Sequence, residues 1–153
     1  MVEAMIELAE VGESDYLLDL GAGDGRICCY ASLLCGAKAW GVELDDVEFA
    51  KMKHNVEHFG LAEKVKMYHG DLSEIKATDL EGVTVITLYL LQAAILSSRG
   101  LLDAALDRGC TIVCQSWGLP WMTPVGERKV GPTQVAVFVY RRVVGRREGG
   151  GGL

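Results

Sequence analysis

Short continuous apolar runs alternate along the 153-residue chain with stretches whose apolar residues recur every three or four positions. "YLLDL" at 16–20 has the unbroken apolar character of a strand buried on both faces. A glycine-rich turn follows it, and "RICCYASLLC" at 26–35 then places Ile27, Tyr30, Ala31 and Leu34 on one face of a helix that Gly36 ends. "AKAWGVEL" at 37–44 predicts a second strand. Asp45 or Asp46 caps a following helix that runs to Gly60. "KVKMYHG" at 64–70 alternates polar with apolar side chains, which suits a strand near a sheet edge. The β-branched run "GVTVITLYLL" at 82–91 predicts a fourth strand, Gln92 to about Asp107 a helix, and "CTIVCQS" at 110–116 a fifth strand.

The prolines and glycine of "WGLPWMTP" make a loop, and "GERKVGPTQVAVFVYRR" predicts a hairpin turning near Gly131 and Pro132. Strands alternating with helices imply a parallel sheet with right-handed crossovers, to which the hairpin adds an antiparallel edge. The N-terminal "MVEAMIELAEV" reads as a short amphipathic helix on the sheet edge or over the ligand cleft.

A chain of this length suits one domain, here residues 1–142, with 143–153 expected as a flexible tail. No apolar run reaches the roughly 20 residues of a membrane span. The start is too acidic for a secretory signal, so the cytoplasm is the default location. A net charge of −6 argues against broad binding to nucleic acid, although Arg141, Arg142, Arg146 and Arg147 form a basic cluster near the end. Cys28, Cys29, Cys35, Cys110 and Cys114 lie in apolar runs without a C-x-x-C pair, as buried thiols of a reducing compartment do.

In an open parallel sheet the turn after the first strand is where ligands bind. That turn reads "DLGAGDG", with Gly21, Gly23 and Gly25 in a G-x-G-x-G spacing, whereas the dinucleotide fingerprint is G-x-G-x-x-G and wants a small residue where Arg26 stands. Asp19 and Asp24 bracket it. Carboxylates there would repel a pyrophosphate seated on helix N-terminal amides. They suit a cationic ligand, and S-adenosylmethionine carries both an ammonium and a sulfonium. Glu43, 18 residues after Gly25, stands close to the offset at which an acid accepts ribose hydroxyls. Asp71, in "HGDL" after the third strand, is placed for an adenine amino group, with the Leu72 amide beside it. Asp24 is equally well explained as a helix cap, and Asp71 has the alternative of a turn residue.

"LLDLGAGDGR", "GVELD", "HGDL" and "TVITLYLL", in this order from about Val2 to Val139, resemble class I S-adenosylmethionine-dependent methyltransferases. "LYLL" together with "GDGRI" resembles most a compact subgroup related to the ATP synthase c-subunit lysine methyltransferases and, more distantly, the Dot1 type. The resemblance implies a Rossmann-like, doubly wound, three-layer α/β/α fold and methyl transfer to an amine, foremost a protein lysine. Small-molecule or O-methyl transfer and a non-catalytic cofactor-binding subunit are the alternatives. Asp19, Gly21, Ala22, Gly23, Asp24 and Gly25 would surround the methionine end of the cofactor, Glu43 and Leu44 the ribose side, and Asp71 and Leu72 the adenine. The subgroup usually carries a proline-containing segment before the first helix, where this sequence starts at "MVEAM", and proline where Gln92 follows "LYLL".

Methyl transfer from a sulfonium depends on alignment and exclusion of water more than on a strong base. Tyr89 is the candidate catalytic residue, its ring walling the cleft and its hydroxyl or carbonyl holding the nucleophile, with a buried sheet tyrosine as the alternative. Trp117 and Trp121 could wall a lysine stem or could be loop packing. His54 and His58, spaced i, i+4, lack a third ligand, so no metal is expected.

Overall fold

The computed structural model describes residues 1–142. Residues 143–153, with the expected tail and Arg146 and Arg147, lie outside the described residues. The elements in order are α1 (Val2–Leu8), β1 (Tyr16–Leu20), α2 (Arg26–Cys35), β2 (Lys38–Glu43), α3 (Asp46–His58), β3 (Val65–His69), β4 (Val85–Leu88), α4 (Gln92–Ser97), α5 (Arg99–Asp107), β5 (Thr111–Gln115), β6 (Gly126–Val130) and β7 (Val135–Tyr140). The strands form one sheet in the order β3-β2-β1-β4-β5-β7-β6. β1 to β5 run parallel, and β7 pairs antiparallel with both β5 and β6. The hairpin therefore enters the sheet with its second arm against β5, leaving the polar, exposed β6 as the edge. β3, whose alternation suggested an edge, forms the other.

Alternation along each strand feeds two cores. Leu17, Ala39, Val85 and Val113 face α1, α2 and α3, whereas Leu18, Leu20, Ile86 and Ile112 pack with Leu102, Ala105 and Leu106 of α5. The result is the expected three-layer α/β/α arrangement. Burying an aliphatic side chain such as Leu17 or Ile86 completely contributes about 1.5–3 kcal/mol.

Three local expectations are corrected. On α2 the buried face carries Ile27, Cys28, Ala31 and Ser32, while Leu34 is 64% exposed and Tyr30 half-buried. Ser32 is accommodated because its hydroxyl donates to the Ala37 carbonyl at 2.8 Å. The helix expected from Gln92 to Asp107 is two, broken at Ser98, whose hydroxyl bonds back to the Ala94 carbonyl at 2.8 Å just before the helix-weakening Gly100. The fourth strand stops at Leu88, so Tyr89, Leu90 and Leu91 form the connection above the sheet.

Strand order reverses between β1 and β4, each of which is followed by a connection to the opposite face. Beyond their carboxyl ends lies the crevice that doubly wound sheets offer to ligands.

Candidate functional site

The turn leaving β1 is held by two neighbouring amides, Gly21 and Ala22, which both donate to the Val42 carbonyl at 2.9 Å. Its conformation demands glycine. Gly21 has φ +79° and Gly25 φ +78°. A Cβ on Gly21 would stand 2.7 Å from Leu90 Cδ2, and one on Gly25 2.6 Å from Met52 Cγ. α2 starts at this turn with Gly25, which has no side chain, as its cap. Asp24 turns its carboxylate to Arg26, accepting from the backbone amide at 3.2 Å, from Nε at 3.0 Å and from Nη2 at 2.8 Å. Those hydrogen bonds hold the Asp24 carboxyl below the usual carboxylate range.

Asp19 is only 2% exposed and accepts a hydrogen bond from the Thr87 hydroxyl at 2.8 Å. Burial pushes its carboxyl up to about 7, against the Thr87 bond and with help from the neighbouring Glu43 and Asp24. Glu43, ending β2, accepts the Gly23 amide through Oε2 at 2.7 Å and the Asp45 amide through Oε1 at 3.0 Å. Each oxygen keeps a free lone pair, so the carboxylate can still accept two hydroxyls of a diol. Asp71 is exposed and accepts the Ser73 amide at 2.9 Å, opening a 3₁₀ turn at Leu72–Glu74. Leu72 is half-buried there and Leu44 exposed. Next to them His69 Nε2 lies 2.9 Å from Asp46 Oδ1, and the His69 ring stacks on Phe49 with centroids 4.4 Å apart.

A cavity of about 320 Å³ opens at the crevice, between Asp19, the glycine turn, Tyr89 and Gln115. Met1 and Val2, at the start of α1, line it from above. α1 thus does both things considered for it, packing on the sheet layer and reaching over the cleft. A wider depression of about 740 Å³ beside α3, lined by Asp24, Val47, Lys51 and His54, is far more open to solvent and leaves Asp19 outside.

Tyr89 therefore meets the glycine turn and Asp19 at one cavity. Trp121 does not: its indole Nε1 donates to Asp103 Oδ1 at 3.1 Å, with the Arg99 guanidinium 5.0 Å above the ring, so it packs on α5. Trp117 is exposed in the loop after β5 and is absent from the cavity wall. Gln115, which sequence reasoning did not single out, is on that wall; its signal was its place as the last residue of a strand adjoining β4. Among the described residues no cluster of three His, Cys, Asp or Glu side chains is arranged to hold a metal, and no helix is long and apolar enough to cross a membrane. All five cysteines are free; burial pushes Cys114 up to about 12 and Cys28 well above the thiol range.

Residues 19–126 match the family model described as the ANTKMT methyltransferase domain. A protein-lysine N-methyltransferase of Saccharolobus islandicus (strain REY15A) is 29% identical over 149 residues, which span 97% of this chain and 91% of that protein. The crystal structure of an RNA methyltransferase from Salinibacter ruber in complex with S-adenosyl-L-homocysteine is similar at 33% identity and a TM-score of 0.82, over 95% of this chain and 93% of that one. The m1A22 tRNA methyltransferase of B. subtilis, 21% identical over 90% of this chain and 63% of its own, shares the fold with a TM-score of 0.68.

Proposed function

The chain belongs to the ANTKMT methyltransferase domain family and is an S-adenosylmethionine-dependent methyltransferase, and from that premise we propose that it methylates a lysine side chain of a protein. The observation carrying this reading is the acidic character of the cavity wall, where Asp19, Asp24 and Glu48 stand with Arg26, which is itself paired with Asp24. Such a wall attracts a cationic side chain and repels a phosphate backbone. The name of the Saccharolobus islandicus relative supports a lysine acceptor. That of the Salinibacter ruber structure supports RNA as the second reading.

We assign Glu43 to the two ribose hydroxyls through its free lone pairs, and Asp19 to the ammonium of the methionine end. Gly21 to Gly25 leave room for that end to lie on the backbone, Asp71 receives the adenine amino group, and the Leu72 amide faces the ring, with Leu44 beside them. The cofactor supplies a methyl group on a positively charged sulfur. The chain's own part is to hold the acceptor amine in line, uncharged and away from water. Tyr89, 60% exposed and free of hydrogen bonds to its hydroxyl among the described residues, is positioned to do so. Trp117 remains available to a lysine stem at the rim, whereas Trp121 is engaged with α5. Residues 1–142 form the single methyltransferase domain in this reading.

The test is label transfer from methyl-tritiated cofactor into a cell extract. Counts sensitive to protease and recovered as methyl-lysine are expected. Counts sensitive to ribonuclease would overturn the lysine assignment in favour of RNA.

A further inference from the structure

Parallel pairing of β1, β4 and β5 aligns Asp19 with Thr87, and Thr87 with Val113. Side chains two residues further along each chain return to the same face of the sheet. Within β5 this puts Gln115 on the face of Val113, the face to which the pairing assigns Asp19 and Thr87, and Gln115 lines one cavity with Asp19, Gly21 and Tyr89. Gln115 is half-buried, and its side-chain amide has no hydrogen-bond partner among the described residues. Its backbone is held firmly. The carbonyl accepts the Trp117 amide at 2.9 Å, the next amide, Ser116, donates to the Ala136 carbonyl at 2.9 Å, and Ser116 itself sits at φ +70°, a left-handed conformation costly for a residue with a Cβ. Ser116 turns the chain out of the sheet immediately after the glutamine, so the amide is presented from a strand end and not from a loose loop.

We propose that Gln115 positions the methyl acceptor, its amide oxygen accepting an N–H of the attacking amine in the cavity that Gln115 shares with Asp19. The proposal rests on the cofactor assignment above. In the transfer the nitrogen lone pair forms the new N–C bond while the C–S bond breaks and sulfur keeps that bond's electrons; the nitrogen then loses a proton to water. A nitrogen that still carries its extra proton has no lone pair to give. A carboxylate facing it would favour that protonated form, whereas a neutral amide oxygen orients the amine without fixing a charge on it. Gln115 is therefore chemically distinct from Asp19 and Asp24 on the same cavity wall.

The binding arm of the test needs no knowledge of the acceptor, and the transfer arm uses label incorporation into a cell extract. Sinefungin carries an amine-bearing carbon where the cofactor has its methylated sulfur, so its N–H groups stand at the place of the methyl and point toward the groups that face the acceptor; S-adenosylhomocysteine has nothing there. Affinities of both are measured by calorimetry for the wild-type chain, Gln115→Leu and Gln115→Glu. The expected result is an unchanged S-adenosylhomocysteine affinity in all three, a five- to twentyfold loss of sinefungin affinity in Gln115→Leu, and a gain in Gln115→Glu. The glutamate variant is also expected to transfer methyl groups more slowly despite binding the amine more tightly, a split that a purely structural role would not produce. A sinefungin to S-adenosylhomocysteine ratio that stays the same in both variants overturns the proposal and leaves the cofactor assignment standing. A wild-type chain that binds neither nucleoside overturns the cofactor assignment, and this inference with it.

Discussion

The Glu43 carboxylate accepts the Gly23 amide at 2.7 Å, so the acid at the end of β2 is tied to the glycine turn of β1. With its second oxygen on the Asp45 amide, Glu43 also joins the turn to the start of α3. One side chain therefore shapes the pocket and remains able to accept a diol. Glu43→Ala is expected to lower cofactor affinity at least a hundredfold, since two charge-assisted hydrogen bonds are worth about 1.5–3 kcal/mol each. It should also lower stability by about 1 kcal/mol, chiefly through the part-buried Gly23 amide, because water can replace the acceptor at the exposed Asp45 amide. Calorimetry and denaturant unfolding separate the two effects, and retained affinity would contradict the ribose assignment.

Gly25→Ala tests the close approach of turn and core. The left-handed conformation costs a residue with a Cβ about 1–2 kcal/mol, and displacing Met52 adds about 1–3 kcal/mol of overpacking. Gly60→Ala is the control, because Gly60 has φ +66° and nothing within 4 Å of the added carbon. Denaturant midpoints should fall clearly further for Gly25→Ala than for Gly60→Ala; equal losses would show that Met52 yields freely.

The two acids and the glycines stood out in the sequence because charge next to a G-x-G-x-G turn disfavours a phosphate there, and the structure brings Asp19, Asp24, Gly21 and Gly23 to one cavity. The order of elements followed from apolar periodicity, whereas the family and its three layers followed from the resemblance carried by "LLDLGAGDGR", "GVELD", "HGDL" and "TVITLYLL". What stayed hidden depends on partners distant in the chain. No periodicity tells that β7 inserts between β5 and β6, or that Leu33 and Leu34 stay exposed while Ser32 is buried by a bond to Ala37. Trp121 looked like a cleft aromatic until Asp103 and Arg99 of α5 were seen to hold it. Gln115 gave no signal in composition or spacing and became visible only through the pairing of β4 with β5. Asp71 caps its own turn, as its alternative reading allowed, and its carboxylate remains exposed enough to meet a ligand.

Tyr89→Phe is expected to leave the unfolding midpoint and the S-adenosylhomocysteine affinity unchanged, because Tyr89 is 60% exposed and its hydroxyl has no partner among the described residues. Turnover should fall about tenfold, the loss expected when one neutral hydrogen bond of about 0.5–1.5 kcal/mol is removed from the transition state. Steady-state kinetics on the labelled acceptor decide the matter: an unchanged kcat would confine Tyr89 to walling the cleft.

Cofactor affinity should depend on pH through Asp19. Burial raises its carboxyl to about 7 in the folded chain, while in the unfolded chain it titrates near its ordinary value of about 3.9. Between these values the folded state holds the extra proton, so the contribution of Asp19 to stability is greatest at low pH, declines by about 1.4 kcal/mol per unit as pH rises, and levels off above about 7. A cationic ligand beside Asp19 favours the ionised form and expels that proton. Affinity should therefore climb up to tenfold per unit from about pH 5 to pH 7 and then flatten. The neighbours do not offer an equivalent titration: Arg26 holds Asp24 low, and burial holds the Cys28 thiol far above this range. Calorimetry in buffers of different ionisation enthalpy should register close to one proton released per cofactor bound near pH 6. Asp19→Asn keeps an oxygen for the Thr87 hydroxyl and cannot ionise, so its profile should be flat and its affinity at pH 8 weaker than wild type; a slope that survives in this variant would place the titrating group elsewhere.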